Sequence, residues 1–202
     1  MKENSLKEKL SILSISLILT SNSIISGSLV YIQQAFNLTR NEAEFIITLS
    51  SFTVMIFIFL AEYIALYLGL KKTVLLGLSL VGLSGIFPVI LKSYPGIIIS
   101  RFILGAGLGM FNGHSANYIN LLYHDNKERT KLHGLRNAAE FTGQIILYTL
   151  AGILVKINYI YTFLLYSSAF LIMIFFKMNV RDVKIKKERT KIDFNSNIFL
   201  FI

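Results

Sequence analysis

The sequence contains no cysteine, no tryptophan and only two prolines, and charged residues make up just 15% of its 202 positions. Without cysteine there can be no disulfide framework, no cysteine-based metal site and no thiol nucleophile. A soluble domain carries roughly 25% charged residues, and a chain of this length cannot bury so many apolar side chains in one water-facing fold. Disorder is excluded as well, because it requires low hydrophobicity.

Apolar side chains take the place of the missing charge: they fill 54% of positions, and the mean hydropathy is +0.62. A helix needs about 20 mostly apolar residues to cross a bilayer, and six stretches meet this requirement. They predict an all-α membrane protein with six transmembrane helices. The predicted spans are Leu10–Ile32, Phe45–Leu68, Thr73–Leu91, Gly96–Ile119, Leu135–Ile157 and Tyr159–Phe176.

The distribution of positive charge predicts the orientation of these helices. The chain carries 20 Lys and Arg against 11 Asp and Glu, a formal net charge of +9. Sixteen of the 20 fall in the N-terminus, in the loops after the second and fourth helices and in the tail, whereas the alternate loops hold three. Lys and Arg are enriched on the cytoplasmic side. We therefore expect a multi-pass protein of the cell membrane with both ends of the six-helix unit in the cytoplasm.

Polar segments divide the chain into four predicted parts. These are a cytoplasmic N-terminus (1–9), the six-helix bundle (10–176), a basic cytoplasmic linker (177–193) and a short apolar segment (194–202). The last segment reaches only about 13 Å as a helix, too short to span a bilayer. It is either an interfacial anchor or the start of an unfinished seventh helix. The helices are predicted to be joined by short connections, apart from a longer polar loop at 124–134.

Three ionisable side chains fall inside the predicted spans, namely Glu62, Arg101 and Glu140. Such residues are costly in hydrocarbon and are functional candidates by default. Each also has a structural interpretation. Glu62 would be partly hydrated near the headgroups, Arg101 would extend toward the outer headgroups, and Glu140 would pair with Arg136 four residues earlier. Both interpretations stay open at each position.

Two amide side chains, Asn22 and Gln144, are further candidates for contact with a substrate. Asn22 lies in a first helix rich in hydroxyl groups, which suits either a wet cavity or hydrogen bonds to other helices. Gln144 allows the same two interpretations. The three histidines are scattered and lack the i,i+4 spacing of a metal site, so neither a metal nor a cofactor is predicted.

The fourth predicted helix contains the densest local pattern, RFILGAGLGMFNG at 101–113. Glycines spaced four residues apart let helix backbones approach closely in lipid. A dinucleotide-binding loop would need a preceding strand, and a serine-hydrolase elbow would need G-x-S-x-G where this chain reads GHSAN. Four glycines are therefore predicted to mediate helix packing: Gly105, Gly107, Gly109 and Gly113.

These features together resemble the N-terminal half of a major facilitator superfamily transporter, which has twelve helices in two halves. The family's signature between helices two and three reads approximately G-x-L-a-D-R-x-G-R-K/R-K/R, and the corresponding segment here reads EYIALYLGLKK. Its matching residues are Ala65, Gly69, Lys71 and Lys72. Leu66 replaces the Asp that forms a charge lock at the family's cytoplasmic gate, and Glu62 is the candidate to substitute for it.

The fourth helix is similar to the family's R-x-x-x-G-x-G pattern through Arg101, Gly105 and Gly107. By that resemblance, Arg101 would help to couple proton movement to transport. The segment ERTKLHGLRNAAEFTGQ, at 128–144, is similar to the loop into helix five of many bacterial members and contributes Arg136 to the gate. Helix five has no proline, which separates the chain from typical drug/proton antiporters.

The resemblance implies proton-coupled secondary transport of a small solute. This chain would be the N-terminal half of a transporter that truncation has interrupted, and its last residues would be the start of helix seven. The bilayer, a solute, protons and a C-terminal half would be its partners. It would be neither an enzyme nor a nucleic-acid-binding protein, and it would not transport alone. Two alternatives stay open: a six-helix substrate-binding subunit of an ATP-energised uptake complex, and a non-transporting membrane scaffold.

Overall fold

The computed structural model describes residues 6–183, and every regular element in this part of the chain is helical. Six helical segments in it are long and apolar enough to cross a membrane, as predicted. They are α1 (Leu6–Ala35), α2 (Arg40–Leu68), α3 (Leu70–Leu91), α4 (Tyr94–Leu122), α5 (Asn126–Ile157) and α6 (Tyr159–Asn179). The predicted apolar segment at 194–202 and most of the predicted linker at 177–193 lie outside the described residues.

Side-chain caps explain where several helices begin. Thr39 and Glu42 form a capping box at the start of α2, so this helix begins in polar sequence ahead of its apolar run. Asp125 accepts a hydrogen bond from the backbone N–H of Glu128 at 3.0 Å and starts α5 in the same way. The prediction of a polar loop at 124–134 was therefore wrong, because that segment is helical from Asn126 onward.

Helices α1 and α6 both contain ten residues of the tighter 3₁₀ form, at Leu19–Ser28 and Tyr159–Ser168. Runs of more than three or four residues in this form are uncommon. Hydroxyl groups in α6 bond to carbonyl oxygens three residues earlier, as in the 2.6 Å contact from Thr162 to Tyr159. Such bonds compete with the regular α-helical pattern. The two 3₁₀ segments contact each other inside the bundle.

Helix α4 is the centre of the bundle, because 67% of its apolar window is buried against 22% for α2 and 17% for α5. Glycines make this position possible. A Cβ atom on Gly105 would lie 2.4 Å from the Ser50 carbonyl oxygen of α2, and one on Gly107 would lie 2.6 Å from the Gly77 carbonyl oxygen of α3. At these points the helix backbones touch and no larger residue fits.

Gly113 differs from the other glycines of the motif, since nothing lies within 4 Å of the position of its missing Cβ. It sits instead at a break in α4, between an α-helical segment that ends at Asn112 and another that begins at His114. A glycine at such a break leaves the backbone free to change direction.

Three contacts join the helix ends where α1 begins and α6 ends, a part of the molecule called here the basic end. Arg181, just after α6, pairs with the buried Glu8 of α1, with 3.3 Å between Nε and Oε1. Lys9 of α1 pairs with Glu128 of α5. Lys71 of α3 donates to a backbone carbonyl just after α6. These contacts link four of the six helices at this end.

Tyr123, in the connection between α4 and α5, lies within this arrangement. Its side chain is 2% exposed and the Lys9 ammonium lies 5.5 Å from the centre of its ring. Burial, followed by the nearby carboxylates of Glu8 and Glu128, raises the pKa of the Tyr123 phenol to about 12. A phenol in the unfolded chain ionises near pH 10, so folding keeps the proton on Tyr123.

This shift predicts that alkali destabilises the folded chain through Tyr123. Between pH 10 and 12 the folded state binds the proton that the unfolded state has lost, so the free energy of unfolding falls as pH rises. Tyr123→Phe removes that contribution. Its thermal midpoint, measured in detergent from pH 8 to 11.5, should therefore fall less steeply than that of the parent chain. Equal slopes would show that the phenol is already hydrated in the folded state.

Candidate functional site

Arg101 is the most deeply buried charged side chain in the described part of the protein, with 0% exposure. Its guanidinium packs against two rings of the 3₁₀ segment of α6, with Cζ 4.7 Å from the centre of Tyr166 and 5.3 Å from that of Phe163. Nη1 donates a hydrogen bond of 3.1 Å to the Tyr166 hydroxyl. The interpretation that Arg101 extends toward the headgroups was therefore wrong, because these rings hold its side chain between α4 and α6.

The guanidinium of Arg101 is only partly satisfied. Nε and Nη2 have no hydrogen-bond partner within residues 6–183, and none of the ion pairs found there includes Arg101. A buried charge without a counter-ion is expensive, even when aromatic rings offset part of the cost. Unsatisfied buried donors of this kind are rare in folded proteins. Arg101 is thus positioned to interact with a negative group that this part of the chain does not supply.

The interior of the bundle also contains hydroxyl groups of α1 without partners in the described residues. Four of these hydroxyl groups are buried and form no hydrogen bond: those of Ser16, Thr20, Ser21 and Ser28. Most lie in the 3₁₀ segment of α1, which contacts α5, α2 and the 3₁₀ segment of α6. The polar face of α1 is therefore directed into the bundle, and not toward lipid.

Asn22 links α1 to α2. Its amide Nδ2 donates to the Ser51 hydroxyl at 3.0 Å, and its Oδ1 accepts a hydrogen bond from the Ser50 hydroxyl. The carbonyl oxygen of Ser50 is also the group that Gly105 of α4 approaches. The side chain of Asn22 thus forms hydrogen bonds between helices, one of the two roles considered for it.

Glu62 and His114 lie across the interface between α2 and α4. Glu62 is exposed, and its carboxylate forms no hydrogen bond or ion pair with the residues described. His114 is 1% exposed, and neither of its ring nitrogens has hydrogen-bond geometry to a partner in residues 6–183. The sequence pattern had drawn attention to Glu62 but not to His114.

Glu140 and Gln144 are half-buried and lie one turn apart on α5. The expected ion pair between Arg136 and Glu140 is not formed, because Arg136 turns to α4 and donates from Nε to the Ser115 hydroxyl at 2.9 Å. Within the described chain, Glu140 and Gln144 have no hydrogen-bond or ionic partner. They form an unpaired polar pair of side chains just before the apolar run of α5 that starts at Ile145.

The loop that resembles the family's gate signature is a single residue, Gly69, with a φ of +87° that only glycine adopts easily. It separates α2 from α3. Lys71 reaches the backbone after α6, whereas Lys72 is exposed. The structure therefore brings Lys71, but not Arg136, into the contacts of the basic end.

The candidates do not meet at one point. Arg101 lies with Tyr166 and Phe163, Asn22 lies with Ser50 and Ser51, and Glu62 is exposed on α2. The aromatic partners of Arg101 come from α6, and no short-range motif could have identified them. Within residues 6–183, no group of three or more His, Cys, Asp or Glu side chains could hold a metal ion.

Comparison with known proteins agrees with this architecture. A family model described as the Major Facilitator Superfamily matches residues 11–200. The chain belongs to this family, whose members are transporters and not enzymes. No curated protein matches it.

Solved structures show the same fold. A D-xylose-proton symporter is 21% identical, with a TM-score of 0.75 over 87% of this chain and 48% of that one. The proton:xylose symporter XylE bound to 6-bromo-6-deoxy-D-glucose is 20% identical, with a TM-score of 0.73 over 85% of this chain and 44% of that one. The xylose transporter XylE from E. coli in an inward open conformation is 20% identical, with a TM-score of 0.73 over 86% of this chain and 47% of that one. The chain spans less than half the length of these proteins.

Proposed function

We propose that this chain is the N-terminal half of a proton-coupled secondary transporter for a small solute, with the basic end in the cytoplasm of the cell. The observation that carries the proposal is Arg101, a buried cation with two unpaired donors and no counter-ion within residues 6–183. A permanent structural role would favour a permanent partner. A guanidinium without a counter-ion suits a site that binds a negatively charged substrate or a deprotonated carboxylate transiently in each transport cycle.

A second six-helix unit is the proposed source of the remaining contacts. The solved relatives are about twice as long as this chain, and substrate sites in such transporters lie where two repeats meet near the bilayer midplane. Helices α2 and α5 have the least buried apolar windows, and α5 carries the unpaired Glu140 and Gln144. We propose that these two side chains face the cavity shared with the second unit.

The first test of this proposal reads the gene itself. About 700 bases beyond codon 202 would be enough for six further spans of about 20 residues with their loops. Six such spans, in frame or one base out of frame, would support the two-halves proposal. If unrelated sequence follows, this six-helix unit has no second half in its own gene, and a subunit of an uptake complex or a scaffold becomes the better explanation.

Transport then tests the role of Arg101. We expect no uptake by the 202-residue chain alone in vesicles with an imposed pH gradient, and uptake when both halves are expressed together. D-xylose is the first solute to try, followed by other sugars, amino acids and organic acids. With the transported solute, Arg101→Gln should reduce uptake about tenfold or more, equivalent to about 1.4 kcal/mol of lost interaction.

Arg40→Gln is the matched control for this experiment. Arg40 is also an arginine of the described chain, but its side chain is 86% exposed and pairs with Glu44 on the surface. Its replacement should leave uptake within about twofold. Equal losses in the two variants, or full uptake by Arg101→Gln, would contradict the proposed role. Uptake by the 202-residue chain alone would contradict the need for a second half.

A further inference from the structure

A groove opens at the basic end between the starts of α1 and α5, and none of the candidate residues described above lines it. Its volume is about 500 Å³, within the range of about 300–1,000 Å³ that is typical of small-molecule sites. Five of its nine lining residues are leucines, which form an apolar wall on both helices. These are Leu6, Leu10 and Leu13 of α1 with Leu132 and Leu135 of α5. The groove can therefore hold an apolar group.

Three lysines and one glutamate complete the lining, so the groove has a net charge of +2. Lys9 pairs with Glu128, and these two charges balance each other. Lys127 and Lys131 are exposed and form no hydrogen bond or ion pair with any other of residues 6–183. They lie four residues apart on α5, and like charges at this spacing on a helix repel each other. A negatively charged group bound beside both would offset that repulsion.

The groove crosses the border between polar and apolar sequence on both helices. The predicted apolar span begins at Leu10 on α1 and at Leu135 on α5. Lys131 lies one turn before Leu135, a distance of about 6 Å at 1.5 Å per residue. The headgroup layer on each side of a bilayer is about 5–8 Å deep. The leucines consequently reach the acyl chains, whereas Lys131 lies in the phosphate layer and Lys127 lies just outside it.

The groove lies on a different side of α5 from the one proposed to face a second unit. At about 100° per residue, Glu140 and Gln144 lie about 140° and 180° around the helix from Leu135. Leu6, Leu10 and Leu135 in the wall of the groove are 71%, 49% and 44% exposed. A second unit that packs on Glu140 and Gln144 would therefore leave these leucines accessible to lipid.

We propose that this groove binds an anionic phospholipid. Lys127 and Lys131 bind its phosphate group, and one acyl chain lies along the leucines of α1 and α5. Basic pockets between membrane helices bind anionic headgroups in this way, and lysine stems cover apolar surface while the ammonium stays in water. A free phosphate would leave the leucines uncovered, and a zwitterionic lipid would leave the charge of +2 unbalanced. The inference does not depend on the solute, on the second half or on the role of Arg101.

Because the chain contains no tryptophan, a single introduced tryptophan reports on this groove alone. Leu10→Trp places the indole where the native side chain is 49% exposed. The 202-residue variant is reconstituted in vesicles of phosphatidylcholine with increasing fractions of phosphatidylglycerol, and one of the two lipids carries bromine on its acyl chains. Bromine quenches the fluorescence of indoles that contact the labelled lipid, so the quenching gives the relative binding constant of the two lipids. We expect phosphatidylglycerol to be preferred about fivefold or more, since each lysine near the membrane surface contributes about that factor.

Two pairs of charge-removing substitutions in the Leu10→Trp chain test the lysines themselves. Lys127→Gln with Lys131→Gln should bring the preference for phosphatidylglycerol close to equality. Lys72→Gln with Lys177→Gln is the matched control, because it removes the same charge from exposed lysines of the basic end that do not line the groove. This second pair should leave the preference within about twofold, since salt screens charges at a distance.

Two further reporters keep the result interpretable. Leu135→Trp, on the opposite wall of the groove, should show the same preference and replaces Leu10→Trp if that variant does not fold. Tyr67→Trp, at an 89% exposed position near the end of α2, reports on lipid elsewhere at the basic end and should show a preference of less than about twofold.

Three results would overturn the proposal: equal quenching by the two lipids in the groove, the same preference at the Tyr67→Trp reporter, or equal losses in the two lysine pairs. Indoles in the groove that neither lipid quenches would overturn it as well, because protein and not lipid would then fill the groove. None of these outcomes would bear on the transport function proposed from Arg101.

Discussion

Replacing Arg101 with methionine should raise the stability of the isolated 202-residue chain. The guanidinium gains about 2 kcal/mol or more from its two aromatic neighbours when desolvated. Against this stand two buried charged donors without partners, each costing about 1–3 kcal/mol or more. Methionine has similar length and no polar group to satisfy, and the one hydrogen bond lost is that from Nη1 to the Tyr166 hydroxyl. Replacing buried charges by well-packed apolar residues stabilises proteins by about 1–4 kcal/mol in known cases.

The measurement is the free energy of unfolding in mixed micelles, for the parent chain, Arg101→Met and Arg101→Lys. Lysine retains the charge but loses the planar stacking on Tyr166 and Phe163, so it should be less stable than the parent. A gain for methionine alone would show that Arg101 is retained at the expense of stability, as functional residues often are. A loss of more than about 1 kcal/mol in Arg101→Met would instead indicate a structural role.

Gly143→Ala should be one of the most destabilising small substitutions in the chain. A Cβ atom on Gly143 of α5 would lie 2.1 Å from the carbonyl oxygen of Leu17 in α1. The obstacle is backbone and cannot rotate away, so α1 and α5 would have to separate. Overpacking of this kind costs about 1–3 kcal/mol or more, and here it also disturbs the junction with the 3₁₀ segment of α1.

Gly152→Ala is the matched control, because it makes the same chemical change on the same helix. Nothing lies within 4 Å of the position of the missing Cβ at Gly152. Alanine favours the helix over glycine by about 1 kcal/mol, so this variant should be neutral or slightly stabilised. Thermal midpoints in detergent measure both changes. Equal midpoints for the two variants would show that α1 and α5 do not touch at Gly143.

The number of helices follows from the sequence because the requirement is simple: about 20 apolar residues cross a bilayer. Helix starts were less predictable where a cap sits in polar sequence. Asp125 begins α5 inside a segment that composition alone assigned to a loop. A local hydrogen bond of one side chain determined that boundary, and hydropathy does not detect it.

The glycine motif shows a second limit of sequence reasoning. Gly105, Gly109 and Gly113 have identical spacing, yet the first two touch α2 and the third has open space around it. Spacing places residues on one face of a helix, but it does not show how far along that face the neighbouring helix stays in contact. Only the tertiary arrangement shows that no neighbouring helix reaches Gly113.

Arg101 could be selected as a functional candidate from its cost in hydrocarbon. Its surroundings could not be predicted, since Tyr166 and Phe163 are more than 60 residues away in the chain. A single candidate residue was therefore identifiable from the sequence, whereas the residues that contact it from a distant helix were not.

The two 3₁₀ segments are longer than the same residues would be in α-helical form. Ten residues extend about 20 Å in 3₁₀ form but about 15 Å as an α-helix. Conversion of Leu19–Ser28 or Tyr159–Ser168 to regular α-helix would shorten α1 or α6 by about 5 Å, nearly one helical turn. Cellular bilayers differ in thickness by a similar amount. These two helices could follow a thinner membrane by rewinding, while the glycine-packed α2, α3 and α4 would have to tilt together as one block.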